Sequence, residues 1–141
     1  MPSEIVEDRL YVGDVIDGRN AHEHSIDYDR VVSVGGGCHD NTTHCHLLKD
    51  DYGVDHATFR QAVGAVQSGL LKDETVLVHC AVGASRAPSV TASAMAVLDG
   101  TSFDEALDEI KDKRGATRSG NLVNPHPALR GAAESYVEDH S

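Results

Sequence analysis

The chain has 141 residues, 40% of them hydrophobic but only 4% aromatic and none of them tryptophan, enough for one domain whose core rests on Val, Ala, Leu and Ile. Its 23 acidic against 12 basic residues give a formal charge of −11, spread along the chain, which argues against nucleic acid or an anionic membrane as a partner. An odd count of cysteines, Cys38, Cys45 and Cys80, argues against a disulfide framework. No signal-like segment opens the chain, and no apolar run approaches the ~20 residues that span a bilayer, so the expected compartment is the cytoplasm.

In chain order, the apolar alternation from Glu4 to Val12 predicts a short strand or hairpin at a sheet edge, ending at Gly13. Asp14 can cap a short helix reaching toward His24. The β-branched run Tyr28–Val34 predicts a buried strand stopped by Gly35, Gly36 and Gly37. Thr43–Leu48 reads as a further strand, followed by a polar loop at Lys49–Gly53. Asp55 caps a predicted helix from His56 to about Leu70, with Phe59, Ala62, Val63 and Val66 on one face. Thr75–Val78 is a strand, and Arg86–Leu98 an almost wholly apolar helix ended by Asp99 and Gly100. Ser102 and Glu105 have capping-box spacing for a helix to about Lys113. Arg114–Asn121 reads as polar loop, and Asn124-Pro125-His126-Pro127 opens a last helix to about Val137. Alternating strands and helices make the expected fold α/β, a central, mainly parallel sheet of four to five strands flanked by helices on both faces, in a single domain over residues 1–141.

The segment with chemistry written into it is Val76–Arg86, a strand, a short loop and a helix start. Ligands bind at the carboxyl ends of such strands, where Cys80 falls. The loop Ala81, Val82, Gly83, Ala84, Ser85 and Arg86 can turn successive backbone N–H groups, with the positive end of a helix behind them, onto a phosphate. A cysteine in that field favours its thiolate, and the guanidinium of Arg86 matches phosphate oxygens.

His79-Cys80-x-x-Gly83-x-Ser85-Arg86 after an apolar strand resembles the active-site loop of the cysteine-dependent protein tyrosine phosphatases, most closely their dual-specificity branch. Arg9-Leu10-Tyr11-Val12-Gly13 resembles that branch's opening strand, and Asn124-Pro125 its late Asn-Pro segment. The resemblance implies that Cys80 is a nucleophile forming a phosphocysteine and that Arg86 binds the phosphoryl oxygens. It implies that His79 and Asn124 stand behind the loop and help order it. It also implies a general acid, an aspartate roughly thirty residues before the cysteine, for which Asp50 is preferred and Asp51 is the alternative. In the family the residue after the arginine is often a hydroxyl residue that aids release of the thiolate; here it is Ala87.

The expected activity is hydrolysis of phosphotyrosine and phosphoserine or phosphothreonine monoesters in proteins, by a monomer without cofactor or metal. The uncharged rim at Ala81, Val82 and Ala84 disfavours polyphosphorylated substrates. A phosphopeptide-binding module with little turnover and a rhodanese-like sulfurtransferase are the alternatives. A zinc site at Cys38, His39, His44, Cys45 and His46 is disfavoured, because Cys45 falls within an expected strand and is expected to be buried, with His44 and His46 facing solvent. The acidic surface suits a salt-rich cytoplasm, where charge repulsion is screened within about 3 Å at 1 M salt, and suggests a halophilic source.

Overall fold

A computed structural model describes all residues, 1–141. Five strands, β1 (Ser3–Val6), β2 (Leu10–Gly13), β3 (Arg30–Ser33), β4 (His44–Cys45) and β5 (Val76–His79), form one sheet in the order β1-β2-β5-β3-β4. Only the β1–β2 pair is antiparallel; the others are parallel, as the alternation of strands and helices requires. The register sets Gly13, His79 and Ser33 side by side, with Cys45 opposite Ser33, so the loops after four strands leave the sheet along one edge.

Side-chain alternation divides the sheet's two faces. Leu10, Val12, Val32, Val76 and Val78 join the main core, which also takes in the apolar sides of α2 (His56–Leu71), α3 (Arg86–Asp99), α4 (Phe103–Arg114) and α5 (Pro127–Asp139). Tyr11, Val31 and Leu77, pointing the other way, pack with Ala21, Ile26 and Tyr28 beside the short α1 (Val15–Arg19) and the 3-10 turn Ala21–Glu23. Helices therefore flank both faces, unequally. No helix is long and apolar enough to cross a membrane.

Several expectations shift in detail. β4 is two residues long instead of Thr43–Leu48, because that segment is a loosely paired edge. Its N–H groups still reach β3 and beyond, Thr43 to Val31 O, His46 to Ser33 O and Leu48 to Val34 O at 2.9–3.0 Å. The reciprocal capping box belongs to α1, where Asp14 and Asp17 each accept the other's backbone N–H, whereas Ser102 only accepts from Glu105 N. The supposed polar loop after Arg114 holds an ordered turn, with Ala116 bridged to Leu122 and Thr117 N donating to Asn121 O at 2.7 Å.

The cysteines are not all unpaired. Cys38 and Cys45 form a disulfide with Cα atoms 5.9 Å apart, because the turn at Gly36 and Gly37, both at positive φ, carries Cys38 back beside β4. Cys45 is exposed, and His44 and His46 are half-buried, the reverse of the expected arrangement. Cys80 alone is a free thiol.

Candidate functional site

Cys80 leaves β5 buried, with 2% of its surface exposed, and its backbone N–H donates to Gly13 O at 3.4 Å. The chain then wraps around its sulfur: the N–H groups of Gly83 and Ala87 donate to Sγ at 3.2 and 3.4 Å, one from the loop and one from the first turn of α3. Gly83 takes φ +78, and a Cβ there would lie 2.8 Å from Gly13 O and collide with Arg114, so this position requires glycine. The thiol sits where partial positive charge converges from backbone amides and a helix N-terminus.

Arg86, the first residue of α3, is half-buried; its Nη1 donates to Leu48 O at 3.0 Å. Its guanidinium lies against Gly35, where a Cβ would come within 2.5 Å of Cζ. Across an open cleft of about 540 Å³ from Cys80 stands Asp50, whose Oδ1 accepts a 2.5 Å hydrogen bond from Ser85 Oγ. Ser85 Oγ in turn accepts from His126 N at 2.8 Å, and Asn124 N donates to Ala84 O at 2.8 Å. Asn124 thus meets the loop through its backbone, while its side chain lines the cleft. Asp51 does not line this cleft and accepts from Gly53 N at 2.7 Å.

His79, fully buried beneath the loop, shares a 2.6 Å hydrogen bond through Nε2 with Ser33 Oγ, which continues to Thr42 Oγ1 at 2.8 Å. Its ring stacks on His39 with centroids 5.8 Å apart. Burial, reinforced by the neighbouring His39, pushes its pKa down to about 4, so at neutral pH it is an uncharged group.

The side chain that sequence reasoning passed over is Arg114, at the end of α4. Its Nε donates to Gly83 O at 2.8 Å, Nη2 to Val82 O at 3.4 Å, and Nη1 to Val12 O and Ser3 Oγ at 2.9 and 3.0 Å. Arg114 thus ties two loop carbonyls to α4 and β2, while the N–H of one of those residues, Gly83, donates to the sulfur. Its only local signal, a cation in the last turn of a helix, reads equally well as a partner of the helix dipole. The hydroxyls around the start of α3 are engaged with other groups: Ser85 bonds Asp50, Ser89 donates to Ser85 O at 2.6 Å, and Ala87 has none.

No group of three or more His, Cys, Asp or Glu converges as a metal site, and the disulfide consumes the two thiols that a zinc centre would need.

The five-stranded, mostly parallel sheet flanked by helices is the fold of solved dual-specificity phosphatases. Among solved structures, DUSP15 superposes with a TM-score of 0.78 at 19% identity, covering 96% of this chain and 86% of that one. Human DUSP28 gives 0.77 at 17%, covering 97% and 96%, and human tyrosine phosphatase-like serine/threonine/tyrosine-interacting protein gives 0.75 at 14%, covering 98% and 96%. No protein-family model and no curated protein matches the sequence.

Proposed function

We propose that the chain is a protein phosphatase that hydrolyses phosphotyrosine and phosphoserine or phosphothreonine monoesters through a phosphocysteine on Cys80. The observation that carries this reading is the convergence of the Gly83 and Ala87 amides on Cys80 Sγ, with Arg86 and Asp50 lining the same cleft. The cleft rim, formed by Val82, Ala84 and Leu122, carries no cluster of cations for a polyphosphorylated ligand, which favours a single phosphoryl group on a protein.

In this mechanism the loop amides and the guanidinium of Arg86 hold the nonbridging oxygens and gain strength as charge spreads over them in the transition state. Sγ attacks phosphorus, the phosphorus–oxygen ester bond breaks, and protonated Asp50 delivers its proton to the departing oxygen. Asp50 then takes a proton from the water that attacks phosphorus, and the sulfur leaves as thiolate. Asp50 suits this role better than Asp51, since Ser85 aims its carboxyl across the cleft whereas Asp51 closes a local turn. With Ala87 behind the sulfur and the hydroxyls of Ser85 and Ser89 bonded elsewhere, the second displacement lacks a hydroxyl donor to the leaving thiolate and is the slower one.

Hydrolysis of p-nitrophenyl phosphate and of a phosphopeptide panel, assayed across KCl concentrations with Cys80→Ser as control, tests the reading. Activity is expected to vanish in Cys80→Ser, and rapid-quench kinetics to show a burst of p-nitrophenol. Activity surviving in Cys80→Ser would overturn the assignment, and transfer of sulfur from thiosulfate to cyanide would replace it with a sulfurtransferase.

A further inference from the structure

Next to the phosphate cleft, a second cleft of about 340 Å³ opens between α1 and the loop after β5, lined by Val15, Ile16, Ala81, Val82, Arg118 and Ser119, with Asp14 at its base. Val82 lines both clefts, so the two are separated by the width of one side chain. Ile16 is 41% exposed and Val82 38%, each leaving apolar surface open to water.

The local structure explains why this groove exists and why it is apolar. The Asp14–Asp17 capping box starts α1 immediately after β2, and Val15 N donates to Ala81 O at 3.1 Å, which fixes the start of the helix against the phosphate loop. Asp14 and Asp17 are buried, and Arg118 bonds both, at 2.8 and 2.9 Å. Asp14, which lines the groove, and Asp17 beside it therefore neutralise Arg118 through two of its nitrogens, Nε and Nη2. With the Arg118 charge already paired, an aliphatic guest would gain most, by covering Ile16 and Val82.

We propose that this groove is a specificity subsite that receives a bulky aliphatic side chain one or two residues from the phosphorylated residue of a protein substrate. The inference rests on the phosphatase reading above. The occupant follows from continuity with the phosphate cradle and from the groove's lack of free charge. An extended peptide advances ~3.3 Å per residue, so a neighbour of a phosphoresidue seated over Cys80 reaches across Val82 into the groove.

The experiment measures binding of alanine-rich phosphopeptides to Cys80→Ser protein, with a single leucine placed at each of the two positions on either side of the phosphoresidue. Hydrolysis of p-nitrophenyl phosphate by the wild type and by Ile16→Ser is measured in parallel. One leucine position is expected to tighten binding about tenfold over alanine, as partial burial of an aliphatic side chain provides. Ile16→Ser in the Cys80→Ser background should erase that gain and leave affinity for the all-alanine phosphopeptide, and p-nitrophenyl phosphate turnover in the Cys80 enzyme, within twofold of the parent. Ile16→Ala, which keeps a helix-favouring residue, guards against a folding defect and should lose most of the preference. Equal affinity at all four positions, or a leucine preference that survives both substitutions, overturns the subsite. If that occurs while p-nitrophenyl phosphate is still hydrolysed through Cys80, the phosphatase reading stands alone. If the chain neither hydrolyses p-nitrophenyl phosphate nor binds any phosphopeptide, both fall.

Discussion

The two walls of the phosphate cleft are held in different ways. On one side the Cys80 loop is tied by backbone bonds to β2, α1 and the Asn124 segment, laced from below by Arg114 and underlain by the buried His79–Ser33–Thr42 chain. On the other side Asp50 is exposed and reaches the loop through one side-chain hydrogen bond, from Ser85. In the proposed reaction Cys80 would be held by a preorganised wall, as a site that must aim several dipoles at one atom requires. Asp50, as the proposed acid, would stand on the less constrained wall, as a group that first gives a proton and then takes one requires.

Substitutions can break this contrast, and the largest effect is expected at the acid. Asp50→Asn should lower kcat/KM on an alkyl phosphate by about a hundred- to ten-thousand-fold and change kcat/KM for p-nitrophenyl phosphate far less, since p-nitrophenol leaves without help. Asp51→Asn should leave both rates near wild type; the opposite pattern would move the acid to Asp51. Arg114→Met should cost about a hundredfold in kcat for both substrates alike, since it disturbs the cradle and not the proton, with Arg114→Lys recovering part of it.

On the cradle side, pH offers a probe. His79 keeps its proton only below about 4 when folded but near 6.5 when unfolded, so between these values the unfolded chain binds more protons. Its contribution, about 3 kcal/mol for a shift of that size, is complete above pH 6.5 and is lost as pH falls toward 4. Urea unfolding of wild type and His79→Asn across that range should show the slope in the wild type and a flatter profile in the variant. In the loop that carries His39 and Thr42, opening the Cys38–Cys45 disulfide, which closes a short loop with a separation of 7, should remove about 2 kcal/mol of stability. The double Cys38→Ser, Cys45→Ser variant should therefore melt earlier with p-nitrophenyl phosphate turnover intact. The smallest effect is expected from Ser85→Ala, about 1 kcal/mol or up to tenfold, confined to poor leaving groups; a loss equal on both substrates would mean that Ser85 serves the cradle instead.

How much of this was legible in the chain depended on how local each relation was. The strand, loop and helix around Cys80 and Arg86 lie within one continuous stretch, where β-branched residues, Gly83 and Pro88 each favour the same local geometry, and their boundaries fell within a residue or two of expectation. The choice between Asp50 and Asp51 could not be made locally, because adjacent residues of one type differ only in what they meet, and Ser85 comes from another element. Arg114 was hidden for the same reason: its partners at Gly83, Val12 and Ser3 lie 31, 102 and 111 positions away.

By itself, then, the sequence determined the alternation of strands and helices, the parallel character of the sheet and the position of the cysteine loop at its edge, since hydrophobic period and turn chemistry act between near neighbours. Only the tertiary structure decided which aspartate faces the cleft, that Cys38 and Cys45 pair, that Arg114 braces the loop, and that an apolar groove adjoins it at Val82. Those outcomes depend on segments brought together by chain reversal and sheet register, which no local pattern encodes.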